Sequence, residues 1–186
     1  MPSAATHHPF VSRLAALRDG TIVLLREQTP RDRGQLADLF AGLSSRSRYL
    51  RFGVGMPPAL PPRYLDVLAD VDGDRHVAIL AIHDTRAIGA ARYIRTGDVP
   101  ADAEIAVTVT DAFQRRGLGR ILVESLTTLG ATRGVKHFTF EILPANHAAR
   151  TLADRLGARD HALTTEMPAH AAPEPVATWP TTRRAA

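Results

Sequence analysis

The residues of this chain that can do chemistry cluster between Glu104 and Gly119. Residues 103–110 alternate as a strand does, placing Ile105, Val107 and Val109 on one face and Glu104, Ala106 and Thr108 on the other. A turn through Asp111, Ala112 and Phe113 leads into Gln114, Arg115, Arg116, Gly117, Leu118 and Gly119. A helical run follows, in which Leu118, Ile121, Leu122, Leu126 and Leu129 share one buried face. A strand, a glycine-bearing turn and a helix start together make an anion site. The first helical N–H groups have no intrahelical acceptor, and the helix dipole favours negative charge there. Gly117 and Gly119 put no Cβ in the way of a phosphate, and Arg115, Arg116 and Arg120 add positive charge. Two familiar phosphate loops are excluded. The P-loop needs Gly-Lys-Ser/Thr where this chain has Gly119-Arg120-Ile121, and the dinucleotide fingerprint needs glycine where Leu122 stands.

The elements that must position this turn can be read on either side of it. Strands are expected over residues 21–27, 76–83, 87–95 and 136–142, with a last one over 161–166. The 76–83 and 87–95 strands form a hairpin through Asp84, Thr85 and Arg86, and the first is apolar at nearly every position, as suits a central strand. A helix is expected from Thr29-Pro30, with Leu36, Leu39, Phe40 and Leu43 inward. Ser44 caps a second helix that ends at Gly53, and residues 63–69 form a third. Residues 146–156 form the last, with Ala149, Leu152 and Leu156 inward and Gly157 as C-cap. Residues 1–20 are expected to be an N-terminal arm, loose or briefly helical up to Leu17. Residues 21–167 read as one α/β domain, and 168–186 as a disordered Ala/Pro/Thr-rich tail.

Composition sets the class. The 186 residues suit a single core, and 45% hydrophobic content with 23% charged residues is that of a globular protein. No apolar run approaches a membrane span. The absence of cysteine excludes disulfides and a cysteinyl intermediate and fits a cytoplasmic protein. The formal net charge is +4, and every basic residue but Lys136 is arginine. With no basic block and few aromatics to stack on bases, nucleic acid is not an expected partner. The eight histidines show no ligand spacing, so no metal is expected.

With both phosphate loops excluded, the Q-x-x-G-x-G of Gln114, Gly117 and Gly119 resembles the pyrophosphate-binding motif of the GNAT acyltransferase superfamily. The segment from Asn146 through Ala149 and Leu152 to Leu156-Gly157 is similar to that family's N-x-x-A-x-x-L…G segment. A narrower likeness lies upstream. Leu43, Ser44, Ser47, Tyr49, Arg51 and Phe52 match the L-S-x-x-S-x-Y-x-R-F pattern of Pat-type bacterial protein lysine acetyltransferases, and Ala103-Glu104-Ile105-Ala106 is typical of the same group.

The resemblance implies a GNAT fold: one domain with a mixed, mostly antiparallel central sheet flanked by helices. It implies acetyl-CoA or another acyl-CoA as cofactor, held by Gln114, Arg115, Arg116, Gly117, Leu118, Gly119 and Arg120. The backbone of Val107, Thr108 and Val109 would meet the thioester and the pantetheine amides, at a place where the family often has a bulge. Asn146 would meet the pantetheine or phosphate arm. Glu104 matches the Pat catalytic glutamate, with Glu141 on the neighbouring strand in reserve. Arg46, Tyr49 and Arg51 would sit near the acceptor entrance, where arginines suit an acidic surface or a carboxylate, although a solvated face with Tyr49 and Phe52 in the core reads as well. Many family members place a tyrosine acid where this chain has Ala153.

Chemically, an amine with a pKa of about 10.4 must lose a proton before attacking a thioester, so a base is needed. A thiol of pKa about 8.5 can leave unaided. The expected activity is therefore direct acyl transfer to an amine, with a protein lysine favoured and a small amine second. A non-catalytic acyl-CoA sensor on the same fold is the competing class. A monomer or homodimer is expected.

Overall fold

The structure is a computed structural model that describes residues 12–95, 101–161 and 164–168. Among the described residues eight strands form one sheet: β1 (Arg13–Ala16), β2 (Ile22–Glu27), β3 (His76–His83), β4 (Arg86–Arg95), β5 (Asp102–Val109), β6 (His137–Glu141), β7 (Arg159–His161) and β8 (Thr164–Pro168). Their order is β1-β2-β3-β4-β5-β6-β8-β7, and every neighbouring pair is antiparallel except β5 and β6. This is the mixed, mostly antiparallel sheet expected from the sequence.

Helices cover both faces. On one side lie α1 (Arg33–Ala41), α2 (Ser45–Phe52) and α3 (Pro62–Ala69), packed through Leu36, Leu39 and Phe40. On the other lie α4 (Leu118–Thr132) and α5 (His147–Arg155), with Leu118, Leu122, Val123 and Leu126 buried against the sheet. Burying each such side chain contributes about 1.5–3 kcal/mol. The continuous apolar run of β3 follows from this sandwiching: Val77 through Ala81 are all fully buried, because both faces of the strand are covered. Helix α4 also lies very close to the sheet. A Cβ at Gly130 would stand 2.6 Å from Cζ of Phe138.

Four sequence expectations change, one of them being that the single last strand expected over 161–166 is two antiparallel strands, β7 and β8. Arg13–Ala16 form an edge strand in place of a loose arm or short helix: they pair with Ile22–Leu25 of β2, and Arg13 donates to Ser125 Oγ on α4 at 2.5 Å. The first helix starts one turn later than its Thr29-Pro30 signal, because Pro30–Asp32 are a 3-10 turn in which the Asp32 carboxylate accepts from the Thr29 backbone N–H. The β3–β4 hairpin has a two-residue turn. Asp84 and Thr85 both adopt positive φ (45° and 69°), which matches the strand twist and leaves Arg86 in β4. The expected tail beyond Pro168 and the turn at 97–100 lie outside the described residues.

Candidate active site

The site begins where the sheet opens. The parallel pairing of β5 with β6 covers only Asp102–Ile105 against His137–Phe140, whereas β5 stays paired with β4 from Ala103 to Val109. From Ala106 onward β5 therefore has a strand on one side only. The β4–β5 register runs without a shift, so no bulge interrupts this stretch and strict alternation holds. Thr110 donates its N–H to Ile88 of β4. By alternation the Val109 and Val107 N–H groups point the other way, into the gap left by β6. Among the described residues these two amides have no strand partner, and on an open strand edge they are hydrogen-bond donors for a carbonyl or amide lying between the strands.

At the end of this gap stands the glycine turn. Arg115 and Gly117 both have positive φ (61° and 91°), with Gly117 the N-cap of α4. Left-handed residues on either side of Arg116 curl successive N–H groups into a concave, anion-sized nest at the helix start. The turn is braced from the other edge of the molecule. Arg18 donates its backbone N–H to Arg116 O (3.0 Å), and Asp19 pairs with Arg116 at 2.9 Å. The Arg18 side chain lies directly beside Gly117, with Cγ and Nε 3.4 Å from where a Cβ would be. Arg120 is exposed and paired with Glu124 one helical turn on.

The side chains of the two motif residues Gln114 and Asn146 are spent internally. Gln114 Nε2 shares its two N–H donors among Val109 O (3.2 Å), Asp111 Oδ1 (3.1 Å) and Ser47 Oγ (3.2 Å), tying the turn to the end of β5 and to α2. Asn146 caps α5 by accepting from Ala149 N, and its amide reaches Leu50 O on α2 at 3.5 Å. Ser44 caps α2, and its backbone N–H donates to Asp111 Oδ2. Burial raises the Asp111 carboxyl, but the bonds from Ser44 and Ser47 outweigh it and hold the carboxyl below its usual range.

The face of the sheet towards α1–α3 carries the titratable groups. The β4–β5 register sets Arg92 beside Ala106, with Glu104 and Thr108 two residues to either side on the same face. Glu104 is exposed, and among the described residues its carboxylate has no hydrogen-bond or ion-pair partner. Thr139 of β6 lies opposite Glu104, which places Glu141 on this face beyond the end of the pairing. Helix α2 supplies Arg51, whose Nε donates to Thr108 Oγ1 at 3.1 Å and whose guanidinium lies over the Phe52 ring.

The structure divides the α2 residues into groups. Arg48 is buried and structural, donating to Leu43 O and Ser45 Oγ, and Phe52 packs against Phe40 and Tyr64. Arg46 and Tyr49 are exposed. Ala153 is 1% exposed within the core, with no polar group, and His147 faces solvent. Two residues escaped the sequence reading. Arg18 had no motif, only a place in the β1–β2 hairpin. Arg92 is a charge inside the apolar run of β4, which was the one signal available. Among the described residues no group of three or more metal-type ligands occurs, and no helix is long and apolar enough to cross a membrane.

A parallel strand pair that opens beside an amide nest at a helix start is built for a phosphorylated carrier laid along a strand edge, which is the architecture of an acyl-CoA-dependent transferase. Known proteins agree with it. Residues 45–158 match the acetyltransferase (GNAT) family. The chain is 31% identical over 146 residues to acetyltransferase PA5475 of Pseudomonas aeruginosa, covering 76% of this chain and 77% of that one. It is 32% identical over 144 residues to acetyltransferase Pat of Mycolicibacterium smegmatis, covering 76% of this chain but only 43% of Pat. Among solved structures, the GNAT domain of S. lividans PAT aligns with a TM-score of 0.81 at 26% identity, over 84% of this chain and 96% of that domain. The chain belongs to the GNAT acetyltransferase family, whose members take the acyl group from acetyl-CoA.

Proposed function

We propose that this protein transfers an acetyl group from acetyl-CoA directly to a primary amine, with a protein lysine as the favoured acceptor and Glu104 as general base. The observation that carries the reading is the place of Glu104: a carboxylate on β5 with no hydrogen-bond or ion-pair partner among the described residues, on the face of the strand that this reading gives to the acceptor. In this reading the pyrophosphate rests on the nest from Arg115 to Gly119, flanked by Arg18, Arg116 and Arg120. The pantetheine runs along β5 towards Asn146, and Val107 and Val109 N–H receive the thioester carbonyl and the oxyanion that develops on it. Glu104, directly or through a water, takes the proton from the ammonium so that the nitrogen lone pair can attack. The C–N bond forms, the C–S bond breaks, and the thiolate departs without a tyrosine acid because Ala153 occupies that position. Glu141 is the reserve base. Arg46 and Tyr49, exposed on α2, are placed to meet an acceptor surface.

The lysine preference is supported by the Pat-like Leu43–Phe52 segment and by the likeness to acetyltransferase Pat. The test is calorimetric binding of acetyl-CoA followed by thiol release with lysine peptides and small amines. Binding with acceptor-dependent release is the expected result, and binding without release from any acceptor overturns it in favour of a sensor module.

A further inference from the structure

A cavity of about 20 Å³, the size of one water or one carboxylate oxygen, lies between α1, α2, α3 and the sheet. Its walls are apolar at Leu39, Phe40 and Phe52, yet two guanidiniums, Arg51 and Arg92, reach it beside Thr108. Neither has a carboxylate in contact among the described residues. Arg92 is 6% exposed and donates to Leu68 O (2.9 Å), His76 Nε2 (3.1 Å) and Gln28 Oε1 (3.3 Å), all uncharged acceptors when the histidine is neutral. That uses three of its five N–H groups. Arg51 uses one, on Thr108, so among the described residues its two terminal amino groups have no hydrogen-bond acceptor.

Burial, and then the like charge of Arg51, push Arg92 down to about 9, which still leaves it a cation at neutral pH. A buried guanidinium with a like charge beside it costs free energy, and an anion bound between the two offsets that cost. His76 faces Arg92, and burial and that arginine disfavour its protonation, so it stays a neutral acceptor and offsets none of the positive charge. Glu104 acts on Arg51 through its charge but forms no ion pair with it.

We propose that Arg51 and Arg92 form a carboxylate-binding subsite on the acceptor side, so that the amine this enzyme acylates carries a carboxylate. This rests on the transferase reading above and narrows its substrate. The spacing fits one molecule. Glu104 and Thr108 lie on one face of β5 with Ala106 between them, each one side-chain repeat, roughly 6.6 Å, from the Ala106 position beside Arg92. An acceptor whose carboxylate meets the two arginines therefore brings an amine several ångströms away to Glu104. The carboxylate comes either from the acceptor's own main chain or from an acidic residue next to a target lysine.

The experiment titrates the full chain calorimetrically with two matched pairs. One is Nα-acetyl-lysine against its methylamide, and the other is a lysine peptide with a flanking Glu against the same peptide with Gln. Within at least one pair the carboxylate form is expected to bind about tenfold to a hundredfold tighter, as charge-assisted bonds from a guanidinium provide. The pair that discriminates identifies the source. Arg51→Gln is expected to erase the difference and Arg51→Lys to restore part of it. Arg51 makes one hydrogen bond to the rest of the protein, so both variants fold, and unchanged melting checks this. Equal affinity within both pairs overturns the proposal, as does discrimination that survives in Arg51→Gln. Acetyl-CoA binding is measured in the same samples. If it is retained while the pairs do not discriminate, the subsite alone fails; if it is absent, the transferase reading fails.

Discussion

Replacing Gly117 by aspartate and by asparagine separates the backbone from the charge at the nest. Gly117 has φ of 91°, a left-handed conformation that costs an L-residue about 1–2 kcal/mol and asparagine or aspartate the least. The new Cβ would stand 3.4 Å from Arg18, a flexible side chain that can move aside. Both variants should therefore lose about 1 kcal/mol, or about 2–4 °C in melting temperature for a chain of this size. Only aspartate also opposes the cofactor. A carboxylate about 5 Å from a phosphate charge costs about 3 kcal/mol at an effective dielectric of about 20 and about 1 kcal/mol in water. Acetyl-CoA should thus bind the aspartate variant about tenfold to a hundredfold more weakly than the asparagine variant. Calorimetry reads this directly. The gap should narrow towards an ionic strength of about 1 M, where the screening length falls to about 3 Å. If the two variants bind acetyl-CoA equally, the pyrophosphate does not rest on this turn.

Other perturbations test other parts. Glu104→Gln is expected to lower kcat by about 10²–10⁴ with acetyl-CoA affinity unchanged; full turnover would dismiss Glu104 as base. Asp32→Asn removes a buried carboxylate whose ion pair with Arg26, against an opposing burial penalty, holds it below its usual range. A depressed carboxyl stabilises fully above its unfolded value near about 3.9 and loses that contribution as pH falls through the folded value. The variant should therefore be less stable at neutral pH by about 1–3 kcal/mol, with the deficit shrinking in acid; a constant deficit would refute the ion-pair account. Gly130→Ala forces a methyl to 2.6 Å from Phe138 and should cost about 1–3 kcal/mol in denaturant unfolding, whereas no loss would mean that α4 can lift off the sheet freely.

Much of the fold was legible because its signals are local. Alternation in β5, the one-sided stripe of α4, the Ser44 cap and the left-handed Gly53 and Gly157 all follow from nearest neighbours. Strand β1 was not, because an edge strand with Leu14 62% exposed, beside a 51% exposed Ile22, shows no buried face to read. Along α2, Arg48 and Arg51 are one turn apart and look alike in sequence. What separates them is whether Leu43 O or Thr108 stands in reach, and Thr108 is fifty-seven positions away. Arg92 is the same case on β4: its acceptors come from Gln28, Leu68 and His76, which only folding brings together.

The α2 helix joins both halves of the candidate site, and this bears on how they work together. Its N-terminus is held to the glycine turn through Ser44–Asp111 and Ser47–Gln114, and its last turns touch the cap of α5 through Leu50 and Asn146. One residue past the second anchor it carries Arg51 to the proposed acceptor face. Any rotation of α2 that moved Arg51 away from Thr108 would have to strain contacts at both ends. Conversely, an acyl-CoA seated on the nest would fix Gln114 and Asp111, and through them the helix. The long side chain of Arg51 then has less entropy left to lose when an acceptor arrives, so bound acyl-CoA should tighten acceptor binding without being required for it.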